Sequence, residues 1–485
     1  MKIKSTFILG LLILNLINSV ISGGVEDFNG INIKKGFKDV KNHNPCLTQK
    51  FSADPGVMVY NDRIYVYSTN DGLLQSTAPA KNEYSKINEL NIMSSSDMVN
   101  WSDHGSFKIA GSGGVARWAS NSWAPTAAHK KINGKEKFFL YFANNGSGIG
   151  VVVSDSPIGP WTDPLGKPLI TKGTPNCNVE WLFDPAVLVD DNGTGYLYFG
   201  GGVPAGKEAN PGTVRAIKLG NDMISLAGTA VNINAPWVYE DSGIHKMGNT
   251  YYYSYCTNWS NGPYGNARIG YMTSSSPLGP FTFKGTCFNN PYDFFRTGGN
   301  NHHTIISFKN NLYIFYHTEW LNKEAYGSQL GYRTTHVDVM PTSGSGLGNA
   351  KGTLTGVSQL GSFNPYKLNY FNTMAWEAGI NVYGTGNAVV SYNRGDWTGI
   401  ARVDFGTGAK SITVEAGSNN GAVIRITIGS TTGVTIGFVT IPATGGAFNY
   451  KKVTASITAS KATGVKNVFF IASADVVLNN FIFSK

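Results

Sequence analysis

At 485 residues the chain is longer than one hydrophobic core usually serves, so two or more domains are expected. Charged residues make up 14%, aromatic residues 12%, and glycines number 59, a balance that disfavours helical bundles and suits turn-rich β structure with sugar-stacking surfaces. The formal charge of +9 is scattered, with no basic run or basic helix, which argues against a nucleic-acid partner.

Residues 1–22 have signal-peptide grammar: Lys2 and Lys4 precede an apolar run from Phe7 to Ile17, with small residues near Ser22. This predicts a secreted, extracellular protein whose mature chain starts near Gly23. The apolar run is shorter than the roughly 20 residues a membrane helix requires, so no membrane association is expected. The four cysteines, Cys46, Cys177, Cys256 and Cys287, fit no metal spacing. In an oxidising compartment they could form disulfides. Sequons at Asn100, Asn145, Asn192 and Asn258 are compatible with glycosylation in a eukaryotic host.

From residue 50 to 340, aromatic strand-like runs recur: IYVYSTN from Ile64, KFFLYFANN from Lys137, GYLYFGGG from Gly195, TYYYSYCTNW from Thr250 and LYIFYHTEW from Leu312. Each is followed by a second strand-like stretch, and SDSPIGPW in one repeat echoes SSSPLGPF in another. No helical pattern of useful length interrupts them. Five repeats at intervals of roughly 55 to 75 residues predict an all-β, five-bladed β-propeller. A β-sandwich would space its strands more closely, and a β-helix has much shorter coils.

Ahead of each aromatic run lies a short apolar strand: ADPGVMVY, WAPTAAHK, FDPAVLVD, YEDSGIHK and NHHTIISF. Aligned on their starts, the equivalent positions are Asp54, Ala124, Asp184, Glu240 and His302. First strands line the channel of a propeller, so three carboxylates and an imidazole should face one another. Asp before Pro is also a common turn opener, which would account for Asp54 and Asp184 but not Glu240. Acids just before otherwise apolar strands are costly unless used. Such a cluster suits glycoside hydrolysis or metal binding. Inverting hydrolysis requires a carboxylate base on water and a neutral carboxylic acid at the leaving oxygen, and a third acid can raise the donor's pKa.

The stretches ADPGVMVYNDRIYVYSTND, SSSDMVNWSDHG, SNSWAPTAAHK, FDPAVLVDDNGTGYLYFGG, YEDSGIHKMGNTYYYSY and GNNHHTIISFKNNLYIFYH resemble glycoside hydrolase family 43, in particular its arabinoxylan arabinofuranohydrolase-like members. The resemblance covers roughly residues 45 to 345. It implies that Asp54 is the general base, Asp184 the residue that tunes and orients the acid, and Glu240 the general acid, with inversion. It also implies that His302, or its neighbour His303, helps hold a calcium ion; the other reading is a packed or hydrogen-bonded histidine. Trp123 is expected to form a sugar-stacking wall, Trp101 to pack inside a blade, and Asn300 or Asn301 to bond substrate hydroxyls or terminate a loop.

A Gly/Ser-rich stretch from Gly346 ends the propeller pattern, making residues 23–345 the propeller and 346–374 a connecting segment. Residues 375–485 carry alternating Val, Ile and Thr runs that read as a β-sandwich, or jelly-roll, domain. WEAGINV, NRGDWTGIARVDFG, TGGAFNYKKV and LNNFIF resemble a family 6 carbohydrate-binding module. That resemblance implies a sugar clamp at Tyr392 and Tyr450, with Trp397 in a second cleft. Where such modules usually have an asparagine before the final strand, this chain has Val477. The expected protein is a monomeric secreted α-L-arabinofuranosidase acting on arabinoxylan-like polysaccharide. The open alternatives are a β-xylosidase or arabinanase of the same family, and a propeller that binds glycans without cleaving them.

Overall fold

In the computed structural model, residues 28, 30–259, 262–344 and 346–485 are described, and they fall into two units. The signal-peptide assignment lies outside the described residues. One unit comprises residues 37–360 and 384–387; the other comprises 361–383, 388–485 and the described residues up to Gly36. No helix is long and apolar enough to cross a membrane.

The larger unit is a five-bladed propeller of antiparallel sheets. Blade 1 is β1 (Lys50–Tyr60), β2 (Arg63–Leu73), β3 (Glu89–Ser95) and β4 (Trp101–Lys108). Blade 2 is β5 (Trp123–Ile132), β6 (Lys135–Ala143), β7 (Gly148–Ser154) and β8 (Ile170–Thr171). Blade 3 is β9 (Ala186–Val189), β10 (Gly195–Gly200), β11 (Val214–Lys218) and β12 (Val231–Ile233). Blade 4 is β13 (Val238–Met247), β14 (Thr250–Thr257), β15 (Ile269–Ser274) and β16 (Thr282–Phe288). Blade 5 holds three strands among the described residues: β17 (His303–Phe308), β18 (Asn311–Thr318) and β19 (Thr334–Val339).

Each aromatic run forms the second strand of its blade and alternates its large side chains between the two blade faces. Tyr67, Tyr141, Tyr198, Tyr253 and Tyr316 are all buried there, filling the space between neighbouring sheets. The echoed loops have a shared task. The Tyr67 hydroxyl donates to the carbonyl of Pro157 at 2.7 Å, and the Tyr198 hydroxyl donates to that of Pro277 at 2.6 Å. Each loop therefore accepts a bond from a buried tyrosine of the preceding blade. Trp101 is fully buried against Phe315, as blade packing requires.

The first strands contact one another in order, β1 with β5, β5 with β9, β9 with β13 and β13 with β17, and β17 returns to β1. That cycle closes the ring around a channel. Approach is tight enough that a Cβ on Gly56 in β1 would lie 1.9 Å from the Pro125 carbonyl oxygen in β5, so only glycine fits.

The smaller unit is an antiparallel β-sandwich. One sheet orders Asn381–Tyr383, Val389–Tyr392, Val476–Ser484, Ser411–Gly417 and Lys451–Ser456, with Asn369–Tyr370 also pairing to Val476–Ser484. The other orders Trp376–Ala378, Trp397–Asp404, Val465–Ala472, Ala422–Ile428 and Val434–Ile441. Trp376, Phe469, Phe470 and Phe481 are buried in it, each at 1% exposure or less.

The boundaries differ from those expected in two places. Residues 30–36 belong with the sandwich, where Trp397 Nε1 donates to the Lys34 carbonyl at 2.7 Å. Residues 346–360, expected to be a connector, belong with the propeller: Ala350 N donates to Cys287 O, and the Thr353 hydroxyl donates to Asp338. All four cysteines are free and buried, so the disulfides that an oxidising compartment would allow are not formed. Two of the sequons are sterically closed to a glycan, since Asn100 and Asn258 are 3% and 6% exposed.

Candidate active site

A cavity of about 370 Å³ opens on the propeller, lined by the residues at and before the starts of the first strands. Asp54, Asp184 and Glu240 reach it from blades 1, 3 and 4, together with Ala124, Trp123, His302 and Asn300. Aromatic walls come from Tyr84, Phe183, Tyr239 and Trp259.

The local backbone explains this convergence. Asp54, Ala124 and Asp184 all adopt left-handed φ angles of 51°, 42° and 48°. In blades 1 and 2 the ladder skips at this point, between Ala53 and Gly56 and between Trp123 and Thr126, so the residue bulges out of register. A bulge with a left-handed residue turns the side chain off the sheet face, at a strain cost of about 1 kcal/mol or more per residue. In blade 4 the skip lies between Glu240 and Gly243, and the left-handed residue is Asp241, with φ 67°. Blade 4 is therefore displaced by one residue from the repeat phase that places Glu240 beside Asp54 and Asp184. Asp241, not Glu240, is the structural equivalent of Asp54 and Asp184. Glu240 still faces the cavity from the preceding position, while Asp241 turns its carboxylate to the histidines along the axis.

Asp54 sits among cationic and donor groups. Arg333 Nη1 donates to its Oδ1 at 2.9 Å, and the Thr69 hydroxyl donates to Oδ2 at 2.7 Å. Its backbone N–H donates to His317 Nδ1 at 3.0 Å, and His317 Nε2 donates to the Asn300 carbonyl. Burial alone would raise its pKa, but Arg333, His317 and His302 outweigh that and hold the carboxyl well below the usual carboxylate range. Arg333 is itself clamped by Asp71, which accepts from Nε at 2.8 Å and from Nη2 at 2.9 Å. Its guanidinium lies over the Tyr84 ring, 4.6 Å from the centroid.

Glu240 is in the opposite situation. Burial, then the negative charges of Asp241 and Asp54, push its pKa up to about 8. Among the described residues its Oε1 has no hydrogen-bond partner, so that oxygen is available to an incoming group. Asp184 is also raised, by burial and then by Glu240, and it accepts a bond from the Asp241 N–H at 3.0 Å. One cavity thus holds Asp54, whose carboxyl favours the ionised form, and Glu240, whose carboxyl keeps its proton at neutral pH.

His302 is 7% exposed and ringed by acids: Nδ1 lies 3.7 Å from Asp54 and 3.8 Å from Asp184, and Nε2 lies 3.3 Å from Asp241. Asp241 also accepts from the His303 backbone at 3.1 Å and from its ring Nδ1 at 2.5 Å, and His303 Nε2 meets the Ser254 hydroxyl at 2.7 Å. Both nitrogens of His302 thus face carboxylates at ion-pair distance. Ca²⁺ instead requires six to eight oxygens gathered around one point. Among the described residues no group of three or more His, Cys, Asp or Glu side chains is arranged to hold a metal. The side chains around His302 therefore do not by themselves supply the oxygens that the calcium expected there would need.

Trp123 is at the cavity wall, its Nε1 donating to the Tyr84 carbonyl at 3.1 Å. Asn301 is not in the cavity. It is fully buried, and its amide donates to the carbonyls of Ala267 and Asn289, tying down a loop; the neighbouring Asn300 faces the cavity instead. In the sandwich, Tyr392 is 1% exposed with its hydroxyl against Thr398, and Trp397 is 5% exposed with its ring against Phe469, so neither offers a face to a sugar. Tyr450 is half-buried. The exposed aromatic rings of this unit are instead Tyr383 and Phe448, 6.3 Å apart and edge to face.

The family model for glycosyl hydrolases family 43 matches residues 42–342. The chain belongs to glycosyl hydrolases family 43. A family 6 carbohydrate-binding module model matches residues 372–485, so this member of family 43 carries such a module after its propeller. The chain is 45% identical over 456 residues to an arabinoxylan arabinofuranohydrolase of Paenibacillus polymyxa, covering 89% of this chain and 72% of that one. It is 44% identical over 476 residues to an arabinoxylan arabinofuranohydrolase of Bacillus subtilis (strain 168), covering 92% of each. A solved family 43 arabinoxylan arabinofuranohydrolase from Bacillus subtilis, in complex with cellotetraose, aligns with TM-score 0.89 at 42% identity, covering 92% of this chain and 98% of that one. This family 43 protein is a glycoside hydrolase.

Proposed function

We propose that the chain is a secreted α-L-arabinofuranosidase that removes arabinose side chains from arabinoxylan or a related plant wall polysaccharide, with inversion. The observation that carries this reading is the opposed electrostatics of Asp54 and Glu240 across one small cavity. Asp54, ionised, takes a proton from a water whose oxygen attacks the anomeric carbon. Glu240, protonated, gives its proton to the glycosidic oxygen as the bond to that carbon breaks. Asp184 lines the same cavity and interacts electrostatically with both. A cavity of about 370 Å³ suits one terminal sugar, with the rest of the substrate outside. The two relatives named arabinoxylan arabinofuranohydrolase support the choice of sugar. Export follows from the N-terminal segment, and the sequons at Asn145 and Asn192, both in exposed loops, are the ones open to a glycan.

The test compares wheat arabinoxylan, aryl α-L-arabinofuranoside and aryl β-xyloside by released sugar, with the anomer of the first product read by NMR. Arabinose from the first two, formed with inversion, is the expected result; xylose release or retention would overturn the assignment. Glu240→Gln should lower kcat on arabinoxylan by about a hundred- to ten-thousand-fold, and by much less on an aryl glycoside whose acidic phenol leaves without a proton. Asp54→Asn should lower both comparably, because water attack is common to both. A leaving-group-dependent loss in Asp54→Asn would reverse the two roles.

A further inference from the structure

The blade 4 ladder ends one pair beyond Glu240, at Val238 and Thr257. Glu240 in β13 is paired with Cys256 in β14, and Trp259 follows three residues later. The intervening backbone is fixed: Thr257 N donates to Arg268 O, and Asn258 N donates to Trp237 O, both at 2.7 Å. Trp259 therefore sits at the cavity rim on the same blade as the acid, with 39% of its surface exposed.

The other aromatic rings around the cavity are already engaged. The Tyr84 ring carries the Arg333 guanidinium, and Trp123 Nε1 is bonded to the Tyr84 carbonyl. Phe183 and Tyr239 pack on Trp181 with centroids 5.4 Å and 5.1 Å away. Trp259 has no such tie among the described residues. Protonation by Glu240 occurs on the glycosidic oxygen, so the departing sugar must lie next to Glu240 and outside the cavity, on the Trp259 side. An exposed indole is the residue type suited to the apolar face of a pyranose.

We infer that Trp259 holds the leaving group, a pyranose unit of the polysaccharide backbone, and makes the enzyme selective for polymeric over small arabinosides. This rests on the function proposed above. The experiment compares the wild-type enzyme, Trp259→Ala and Trp259→Phe on an arabinosylated xylo-oligosaccharide and on methyl α-L-arabinofuranoside, whose leaving group is too small to stack. Trp259→Ala should raise KM for the oligosaccharide about tenfold more than it raises KM for the methyl glycoside, and Trp259→Phe should recover most of the affinity for the oligosaccharide. Equal losses on both substrates, or no loss on either, would overturn the inference while leaving the arabinofuranosidase assignment intact. Failure of the wild-type enzyme to release arabinose from either substrate would overturn both.

Discussion

Glu240 and Asp241 are adjacent in sequence, and the bulge between them and Gly243 sends one carboxylate into the cavity and the other toward His302 and His303. The second influences the first through space. Glu240 must keep its proton to act as an acid, and its raised pKa, up to about 8, carries the protonated form through neutral pH. Activity should therefore fall on the alkaline side as Glu240 ionises. After burial, Asp241 is the largest cause of that elevation. Asp241→Asn removes a negative neighbour while retaining the backbone N–H that holds Asp184, so Glu240 should lose its proton at lower pH. The alkaline limb of kcat/KM against pH should move toward acid; an unmoved limb would exclude Asp241 from tuning the donor. Asp54 and Asp184 were legible in the sequence because a charge before an apolar strand has few structural excuses. The displacement at Glu240 was not, because a bulge adds a residue without changing the hydrophobic pattern around it. Arg333 and Asp71 escaped notice for a different reason. Neither stands at a repeated position, and each gains meaning only from the other and from Asp54.

At the level of the strand, aromatic patterning marked every second strand, because two-sided burial between sheets leaves a near-continuous apolar run. The short first strands were visible as well, and their order around the ring followed from the repeat. Less visible was how closely they approach. Gly56 reads as one glycine among many, yet a methyl group there would meet the Pro125 carbonyl at 1.9 Å. Gly56→Ala should destabilise the propeller by about 1–3 kcal/mol, since a backbone atom cannot be moved aside like the tip of a side chain. A lowering of Tm by several degrees with a parallel loss of activity would agree, and an unchanged Tm would show that blades 1 and 2 can separate at little cost. In the sandwich, the sugar-binding positions that the resemblance implies for Tyr392 and Trp397 are not met, because a motif match does not say which face of a strand is inward. Both rings turned out to be core, leaving Tyr383 and Phe448 exposed at positions that no period singles out.

On the scale of the whole molecule, the division into propeller and sandwich was legible from the change in composition. The placement of residues 30–36 with the sandwich was not, because a short extended segment has no period of its own. Nor does the stability of either unit depend on disulfides. Cys46, Cys177, Cys256 and Cys287 are free and fully buried. Reductant should therefore leave Tm unchanged, and a thiol reagent should label the protein only after denaturation; a drop in Tm under reductant would reveal a bridge. The bond from Arg333 to Asp54 joins residues 279 positions apart, linking the last blade to the first. Asp54 acquires its counter-charge only once the ring has closed, so the pocket is a late event in the history of each chain. A ribosome-bound intermediate holding four finished blades would already contain all three acids and still be inert. Recovery of activity during refolding should accordingly lag behind the burial of the tyrosines of blades 1 to 4 and coincide with the docking of blade 5.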